Sequence, residues 1–500
     1  MFWGHLKLMG EVMAMFPGTV HPQYAVTTMC HMFDLPGAFY LDLWPLGPEF
    51  LVIVDPDIAL HTTVIKNHPK HGDIPMHVDP IVGKDNIVSI NGPKWKYLHN
   101  MLAPAFAVSR IRGMVGMIGD EVMQFRATLK KFAESGEIFH MEHTASCLTF
   151  DVIGTAVFGP GSSLGAQING SSPSLQNFMD IMTYNAVQRD SKNPWTKFTA
   201  RQKRLTATSE LNATLSTLIR QRYNELERDN VDVSQKRKLT IMDLVLRDRL
   251  EETRKTGGGT EAGLNPEFMD VALTQIKTML LAGTGTTNDT ITFTYMLLSK
   301  HPEVVQKLRE EHTRVFAPTI EETHEMLHNP DHHNKINDLT YTEHVVKETL
   351  RFFPIGSSGR SEDENGYFDF KGERYVTKGH FLLIVSHAMQ LNPKLFPNAG
   401  TWDPDRFARN ESPRHAWRPF ERGPRACLGQ TLAMDELKII LLLTVRDFDF
   451  HCSGLTPNKT PRVPWTDMDL TFGDRAFQEF VFEARPRDGM PMTVSKVGKP

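Results

Sequence analysis

Positions 420 to 429 of this sequence read Phe-Glu-Arg-Gly-Pro-Arg-Ala-Cys-Leu-Gly. The turn rich in glycine and proline places Cys427 at the start of a long apolar run, Leu428 to Val445, which is predicted to be a helix. The positive end of a helix and its free backbone N–H groups stabilise a thiolate. Gly423 and Gly429 allow the backbone to approach a flat, bulky group closely, and Arg425 is suited to bind a carboxylate. The stretch therefore predicts a functional cysteine.

The other three cysteines, Cys30, Cys147 and Cys452, lack such surroundings. The four cysteines lie far apart in the sequence and form no C-x-x-C pair. A disulfide framework is therefore excluded, and a reducing compartment is expected. We expect these three residues to be ordinary buried cysteines.

Composition excludes some classes of protein. The chain has 500 residues, of which 40% are hydrophobic and 23% charged, and its formal net charge is −4. A chain of this kind can bury a core large enough to enclose a cofactor, and its charge does not indicate a nucleic-acid-binding protein. Two basic clusters, Lys94 with Lys96 and Arg126 with Lys130 and Lys131, are either solvated faces or docking sites for an acidic partner protein.

Hydrophobic periodicity predicts a mainly α protein with small β-sheets (α+β). Helices are predicted over 114–132, 141–158, 206–228, 269–299 and 428–445. Short strands are predicted at 50–54, 87–90, 367–370, 374–377 and 381–385, and polar connections at 159–174 and 251–265.

The signature around Cys427 resembles the haem-binding motif of the cytochrome P450 superfamily, F-x-x-G-x-R-x-C-x-G. The sequence matches it at all five fixed positions, Phe420, Gly423, Arg425, Cys427 and Gly429. The resemblance implies a triangular helical prism around a buried haem b (iron protoporphyrin IX). Cys427 is then the axial thiolate ligand, which favours O–O cleavage, and Arg425 binds a propionate.

A second resemblance concerns a structural triad. Glu348 and Arg351 are three residues apart, so they share one face of a predicted helix. They resemble the family's E-x-x-R motif, and Arg406 in Asp403-Pro-Asp-Arg-Phe407 resembles the arginine of its P-x-R-F element. The resemblance implies a buried network of charges that fixes the loop around the cysteine.

The stretch Leu281-Ala-Gly-Thr-Gly-Thr-Thr287 resembles the family's oxygen-activation helix, in which a local distortion makes room for dioxygen. The resemblance assigns the hydroxyl that binds dioxygen to Thr286, beside Thr287. Gly285 stands where the family usually has the acid that relays protons. Asp289, one turn further along, is a candidate substitute, and water or a substrate hydroxyl is the alternative.

Three more residues are candidate haem contacts. Trp95 and His99 resemble the family's W-x-x-x-R element, with His99 in place of the arginine. A histidine can also donate to a propionate, although its charge depends on pH. Arg360 is a further candidate for a propionate.

The segment from Glu321 to Lys335 contains His324, His328, His332 and His333. Two histidines four residues apart bind zinc when they share a helix face. Because Asn329 and Pro330 break a helix here, the sequence favours an exposed loop over a metal site.

Domain boundaries follow from the same patterns. Residues 1–36 are predicted to form an N-terminal helical, membrane-proximal segment, and 37–500 a single P450 catalytic domain. No stretch reaches the roughly 18 apolar residues of a membrane span, and none resembles a signal peptide. Relatives of the microsomal type carry an N-terminal anchor. The expected location is therefore the cytoplasmic face of the endoplasmic reticulum if an anchor is missing from this chain, and otherwise the cytoplasm or a peripheral membrane site.

The resemblance is closest to fungal P450 monooxygenases of secondary metabolism. It implies hydroxylation or epoxidation of a small lipophilic substrate with O2. Without a flavin or nicotinamide fingerprint, the electrons come from NADPH–cytochrome P450 reductase, with cytochrome b5 as a further candidate partner. Specificity is expected from 76–90, 175–200, 281–287, 354–359 and 470–477. Alternatives are a fatty-acid or xenobiotic hydroxylase, a reductase-independent haem-thiolate isomerase or dehydratase, and a non-catalytic haem-binding protein.

Overall fold

The computed structural model describes residues 4–159, 164–168, 170–236, 239–256 and 264–498. Its helices span Leu6–Met13, Gln23–Phe33, Pro56–Leu60, Ile74–Val82, Gly92–Leu102, Val108–Arg112, Val115–Ser135, Met141–Phe158, Pro173–Asp190, Pro194–Arg228, Ile241–Thr256, Pro266–Leu298, Pro302–Val315, Ile320–His328, Thr340–Phe352, Ser386–Gln390, Gln430–Thr444 and Asp469–Phe472. Helices dominate and the sheets are small, so the predicted α+β class is confirmed.

The strands form four small sheets. Strands β1 (Ala38–Asp42), β2 (Glu49–Ile53), β4 (Ser358–Arg360) and β7 (Phe381–Ile384) make a mixed sheet in the order β1-β2-β7-β4. A second sheet pairs β3 (Phe139–His140), β11 (Pro491–Lys496) and β8 (Phe448–Cys452) in that order. Strands β5 (Tyr367–Phe370) and β6 (Glu373–Val376) form a third, and β9 (Glu479–Phe480) and β10 (Ala484–Arg485) a fourth. Two of these elements carry site residues, because β4 ends at Arg360 and the β9–β10 hairpin holds Glu483 in its turn.

The helix Pro266–Leu298, here called the central helix, crosses the core. It begins where the side chain of Asn265 accepts a hydrogen bond from the backbone N–H of Phe268, with proline at its first position. Its threonines are tolerated because their hydroxyls donate to carbonyls one turn earlier, as Thr284 does to Leu280 at 2.7 Å. The helix from Gln430 to Thr444, here called the ligand helix, is buried along nearly its whole length. These two helices set the walls of the site.

Several predicted boundaries are wrong. The apolar run 87–90 forms no strand, because its backbone bonds to side chains: the N–H of Ile87 donates to Gln275, and the carbonyl of Ile90 accepts from Arg425. The predicted connection 251–265 begins inside the helix Ile241–Thr256, while 257–263 lie outside the described residues. Of the predicted connection 159–174, positions 160–163 and 169 also lie outside them.

One helix is longer than predicted, and one predicted loop is helical. The helix predicted at 206–228 begins at Pro194, where Asn193 caps it by accepting a hydrogen bond from the N–H of Trp195. The predicted exposed loop at 321–335 is instead a helix, Ile320–His328, followed by a 3-10 helix, Pro330–Asp338. The helix does stop before Asn329, but Thr319 caps its start and lets it form.

None of the described helices is by itself long and apolar enough to cross a bilayer. One pair, Gly92–Arg112 with Val115–Ser135, passes by length and composition together, with a bend of 78° between its members.

Candidate active site

A cavity of about 230 Å³ lies between the central helix and the loop 420–429. Cys427 lines one wall and Thr286 the other. An adjoining cavity shares Thr286, Cys427 and other lining residues with the first, and it is also lined by Phe482 and Glu483 in the turn of the β9–β10 hairpin. Most of the lining is apolar, as in sites for lipophilic ligands. Among the predicted residues, Trp95, His99, Thr286, Thr287, Phe420, Arg425, Cys427 and Gly429 line it.

Cys427 is the only exposed cysteine of the four, and the surface it exposes faces the cavity. Its loop is held because the N–H of Cys427 donates to the carbonyl of Phe420 at 2.9 Å. Because the walls of the cavity surround the thiol and keep bulk water away from it, its pKa is raised, and the backbone N–H groups of Gly429 and Gln430 offset part of that rise. The expected helix-start effect is therefore present, but burial outweighs it in the absence of a metal. A thiol at this point can bind a soft or borderline metal ion.

The two glycines of the loop have different reasons. Gly423 has φ +85°, and a Cβ atom there would lie 2.6 Å from the carbonyl oxygen of Thr63, so the close approach is to protein backbone rather than to a ligand. A Cβ atom on Gly429 would meet nothing nearer than 3.9 Å, and this residue lines the cavity. Space on the Gly429 side is therefore open to a bulky ligand.

Three cations lie close together beside the cavity: Lys70 and Arg425 line it, and Arg360, which does not line it, is their neighbour. Arg360 is fully buried, and its Nε and Nη2 atoms have no partner in the described residues. Burial lowers the pKa of the neighbouring Lys70 to about 7, with the charges of Arg360 and Arg425 acting in the same direction. Glu421 offsets part of this positive charge. Unpaired buried guanidinium groups are costly, so this edge fits the carboxylates of a haem.

Arg425 is already partly satisfied by protein. Its Nη2 donates to the carbonyl of Ile90 at 2.6 Å and to the side chain of Asn91 at 2.7 Å. Its guanidinium also lies 4.1 Å from the centre of the Trp95 ring, and the ring of His99 lies 4.9 Å from that of Trp95. Arg425 therefore joins the loop to the helix Gly92–Leu102 in addition to facing the cavity.

The three residues predicted as a triad lie together, fully buried. Arg351 donates to both carboxylate oxygens of Glu348 at 2.8 Å, and Arg406 Nε donates to Glu348 Oε1 at 3.3 Å. The remaining donors of both arginines bind backbone carbonyls, including that of Thr401. A network satisfied to this degree fixes the backbone around it.

Gln390, which was not predicted as a site residue, connects the triad to the cysteine loop by hydrogen bonds. Its amide nitrogen donates to the carbonyls of Leu350 and Arg351, and its oxygen accepts from the N–H of Arg418 at 2.9 Å. Arg418, two residues before Phe420, is itself buried. No local pattern marks a single glutamine in a short helix, so only the fold brings it to notice.

On the opposite wall, the hydroxyl of Thr286 donates to the carbonyl of Ala282 at 2.7 Å. Thr287 is buried beside it. The expected distortion does not break the central helix, which is α-helical from Pro266 to Leu298. The hydroxyl of Thr286 is therefore hydrogen-bonded to its own helix, although the residue lines the cavity.

The carboxylate of Glu483 fills the space next to Gly285. A Cβ atom on Gly285 would lie 1.9 Å from Glu483 Oε1, so no other side chain fits there while Glu483 holds this position. Glu483 lines the cavity together with Thr286 and Cys427. Burial raises its pKa to about 7, Arg485 opposes that rise and Glu142 adds to it. No pattern in the sequence marks this residue, because it lies 198 positions after Gly285, in a hairpin turn without a motif.

Asp289 takes a different place. It is buried, its Oδ1 accepts from the side chain of Asn288 at 3.1 Å, and its Oδ2 has no partner in the described residues. Burial raises its pKa well above the ordinary value, and the carboxylates of Glu483 and Glu142 add to the rise. Asp289 is not among the residues that line the cavity. It stands behind Glu483 rather than at the ligand.

A family model for cytochrome P450 matches residues 22–469 of this chain. This chain belongs to the cytochrome P450 family. It is 28% identical to cytochrome P450 monooxygenase polC of Polytolypa hystricis (strain UAMH7299) over 99% of this chain and 88% of the relative. It is also 28% identical to cytochrome P450 monooxygenase acrF of Aspergillus aculeatus over 97% and 99%. The chain is accordingly a P450 monooxygenase with relatives in fungi.

A solved structure, the haem domain of cytochrome P450DA, has the same fold as this P450. The TM-score is 0.74, with 19% identity over 99% of this chain and 95% of the other. The family implies a haem–thiolate cofactor and a redox partner.

The segments expected to set specificity contribute unequally to the cavity of this P450. Ile87, Val88 and Ala282 line it, as do Ile355 to Ser358. Among the described residues, none from 175–200 or 470–477 lines it. The C-terminal contribution comes instead from Phe482 and Glu483, because the β9–β10 hairpin, rather than the segment before it, turns into the cavity.

Proposed function

We propose that this P450 hydroxylates or epoxidises a small lipophilic intermediate of secondary metabolism, using O2 and electrons from NADPH–cytochrome P450 reductase. The observation that carries the proposal is the apolar cavity that joins Cys427 to Thr286. The named fungal monooxygenases that resemble this chain over nearly its full length support it.

The residues present fit haem b as the cofactor. Cys427 would hold the iron, Arg360 and Lys70 would take the propionates with Arg425 and His99 beside them, and Trp95 would pack at the edge of the ring. When bound, haem supplies the reductive activation of dioxygen and the insertion of one oxygen atom into substrate.

The protein contributes position and control of protons. The apolar lining of Ile87, Val88 and Ile153 would exclude bulk water and orient a lipophilic substrate. The hydroxyl of Thr286 can leave the Ala282 carbonyl and donate into the cavity. The triad of Glu348, Arg351 and Arg406 acts through Gln390 and the loop, without touching the ligand.

The same proposal includes the partners. The exposed lysines Lys94 and Lys96 lie on the helix whose other face presents Trp95 and His99 to the cavity. A basic face close to the haem edge would suit an acidic flavoprotein, and cytochrome b5 would use the same charges. We propose that the enzyme works at the cytoplasmic face of the endoplasmic reticulum, with the cytoplasm or a peripheral membrane site as the alternative.

The test uses the haem-loaded protein with NADPH–cytochrome P450 reductase and a panel of lipophilic compounds. Compounds that shift the ferric haem spectrum are incubated under ¹⁸O2, and products are weighed by mass spectrometry. One labelled oxygen atom per product, dependent on NADPH, is expected. If fatty acids take up the label in preference to terpenoid or polyketide compounds, the enzyme is a fatty-acid hydroxylase and the proposed substrate class is wrong. Product formed without reductase or NADPH would instead identify an isomerase or dehydratase, and haem loading without any turnover would leave a binding protein.

A further inference from the structure

Two carboxyl groups could serve the threonine wall of the cavity, and their positions differ. Glu483 lines the cavity with Thr286, and its Oε1 lies where the side chain of residue 285 would begin. Asp289 is bonded to Asn288 and lies outside the lining. Of these two, Glu483 alone has its carboxyl group in contact with the space that a ligand would occupy; Glu421 and Glu436 also line that space, but from the loop 420–429 and from the ligand helix.

Resting on the proposed function, we propose that Glu483 is the acid that delivers protons to the hydroxyl of Thr286 during oxygen activation. The acid beside Thr286 and Thr287 thus comes from the C-terminal hairpin rather than from the central helix, and Gly285 is the residue of that helix that leaves room for it. A general acid must come within hydrogen-bond reach of the group that it protonates, directly or through one water, and Glu483 and Thr286 border the same cavity.

The hairpin is anchored so that Glu483 keeps its place. The N–H of Ala484 donates to the carbonyl of Ile355 at 3.0 Å, and the amide of Gln478 donates to the carbonyl of Ala484 at 3.0 Å. Both bonds hold Ala484, the residue directly after Glu483, to the core. A carboxyl group on so constrained a backbone is positioned before any ligand binds.

The surroundings of Glu483 raise its pKa to about 7, so that it can both hold and release a proton near neutral pH. The charge of Glu142 raises the pKa of Glu483, and the charge of Glu483 raises the pKa of Asp289. Arg485, the cation of this group, lies 3.6 Å from Glu142 and lowers the pKa of Glu483. Three buried acids around one arginine cannot all be ionised cheaply. The pKa of Glu483, raised to about 7, agrees with a proton that is held but can be given up.

The transfer itself is a simple relay. The carboxyl O–H of Glu483 gives its proton to Oγ1 of Thr286 as that hydroxyl passes its own proton into the cavity, so that Thr286 ends unchanged. Glu483 is left as a carboxylate and takes a new proton from solvent. Glu142 favours this reprotonation and Arg485 opposes it through their charges.

The experiment compares holoenzyme variants with a substrate and reductase. Glu483→Gln should keep the spectrum of the reduced carbon monoxide complex and consume NADPH, but lose about tenfold or more of its product per NADPH, with hydrogen peroxide instead. The double variant Gly285→Asp with Glu483→Ala returns an acid to the central helix in the space set free, and should recover coupling. Glu479→Gln, on the same hairpin but outside the cavity lining, is the matched control and should stay coupled.

A second measurement does not depend on turnover. Because the pKa of Glu483 is raised, its protonated form stabilises the fold fully below about pH 4.3, and this contribution is lost as pH rises through about 7. Glu483→Gln should therefore gain stability over wild type across that window. His140, His143 and Glu479, which surround Glu142, are unchanged in both proteins. Full coupling in Glu483→Gln, or a stability difference independent of pH, overturns the proposal. Absence of product from the wild type would instead overturn the proposed function.

A different cluster carries a second inference, at the surface. Nε2 of His324 and Nε2 of His328 both lie within hydrogen-bond distance of Asp120 Oδ1, at 2.9 and 2.8 Å. The two histidines are one turn apart on the helix Ile320–His328, and Asp120 belongs to the helix Val115–Ser135. Gly116 and Gly119 make this possible, because a Cβ atom on either would lie 2.8 Å from His328 or 3.4 Å from His324.

We infer that this cluster binds a divalent first-row transition metal ion, with zinc as the best match. Two imidazoles and one carboxylate are ligands that zinc accepts, and water can fill the fourth position. Their ligand atoms lie within 4.8 Å of one another, and tetrahedral zinc sites hold such atoms about 3.3 Å apart. Among the residues that the structure describes, His, Cys, Asp and Glu converge in threes only here. The metal would clamp two helices together, away from the haem.

Zinc titration of the purified holoenzyme tests this. One zinc ion per chain should bind, and the melting temperature should rise; the pair His324→Ala with His328→Ala should lose both effects. Asp120→Asn tests the carboxylate, and His451→Ala, an exposed histidine outside the cluster, is the control and should behave as wild type. Zinc binding at equal affinity in the double variant would refute the site.

Discussion

The two walls of the cavity are built in opposite ways. The Cys427 wall is made from one contiguous stretch, and its loop is tied to the Glu348 triad through Gln390. The threonine wall is made from segments about two hundred positions apart, where Gly285 on the central helix meets Glu483 from the C-terminal hairpin.

This contrast between the two walls predicts how each of them responds to substitution. A metal ligand must stand at one point with its neighbours fixed, so its surroundings are rigid and read as a local motif. A proton donor only needs to reach the same space, and any element bordering that space can provide it. The Cys427 wall should therefore fail abruptly when altered, and the threonine wall should lose coupling while it keeps its spectrum.

The largest effect is expected from Cys427→Ala. Without the thiolate, the reduced carbon monoxide complex should lose its red-shifted Soret band, and turnover should fall below detection. The absorption spectrum of the reduced protein measures this directly. Cys30→Ala, at a half-buried cysteine outside the cavity, is the control and should keep the band. Survival of the band in Cys427→Ala would contradict the assignment of the ligand.

Glu348→Gln should come next. Removing one charge from a fully buried network leaves two arginines without their partner, which costs about 3–5 kcal/mol. We expect a large fall in the urea midpoint and poor haem loading, both measured on the purified protein. Glu310→Gln, at an exposed glutamate, should change neither. A stable, fully loaded Glu348→Gln would show that the triad does not brace the Cys427 wall.

The same contrast explains what the sequence could predict. The motif around Cys427 and the E-x-x-R pair are local, so their residues could be named from order and spacing alone, and the structure brings Glu348, Arg351 and Arg406 together. The helix Met141–Phe158 has the predicted bounds because its apolar residues extend over its whole length.

The misses have physical causes as well. The run 87–90 looks like a strand because it is apolar, but its backbone is satisfied by the side chains of Gln275 and Arg425, which only tertiary structure supplies. Glu483, Gln390 and Lys70 act through contacts between distant segments, and one sequence without pairing information cannot bring such residues together. The one signal for Glu483 in the sequence is Gly285, because this glycine stands where the family usually has the acid that relays protons.

Two glycines of the central helix sharpen the comparison at smaller cost. A Cβ atom on Gly283 would lie 2.5 Å from Ile153, a packed core side chain, so Gly283→Ala should destabilise by about 1–3 kcal/mol. A Cβ atom on Gly285 meets only the end of the Glu483 side chain, which can move. Gly285→Ala should therefore unfold near the wild-type midpoint but form more peroxide per NADPH. Thermal unfolding and peroxide assays separate the two, and the reverse pattern would contradict this account.

The smallest effect is expected outside the cavity, from Lys96→Glu. Lys96 is exposed on the helix that presents Trp95 and His99 to the cavity, so reversing its charge should weaken the approach of an acidic reductase without altering the haem. The KM for reductase should rise a few-fold at low salt, and the difference should shrink as salt screens the charge. Peroxide-driven turnover, which bypasses the reductase, should be unchanged. Lys192→Glu, an equally exposed lysine between two helices that do not line the cavity, is the control. Equal KM values for Lys96→Glu and Lys192→Glu would remove this face from the docking site, and the Cys427 wall would then receive its electrons from another side.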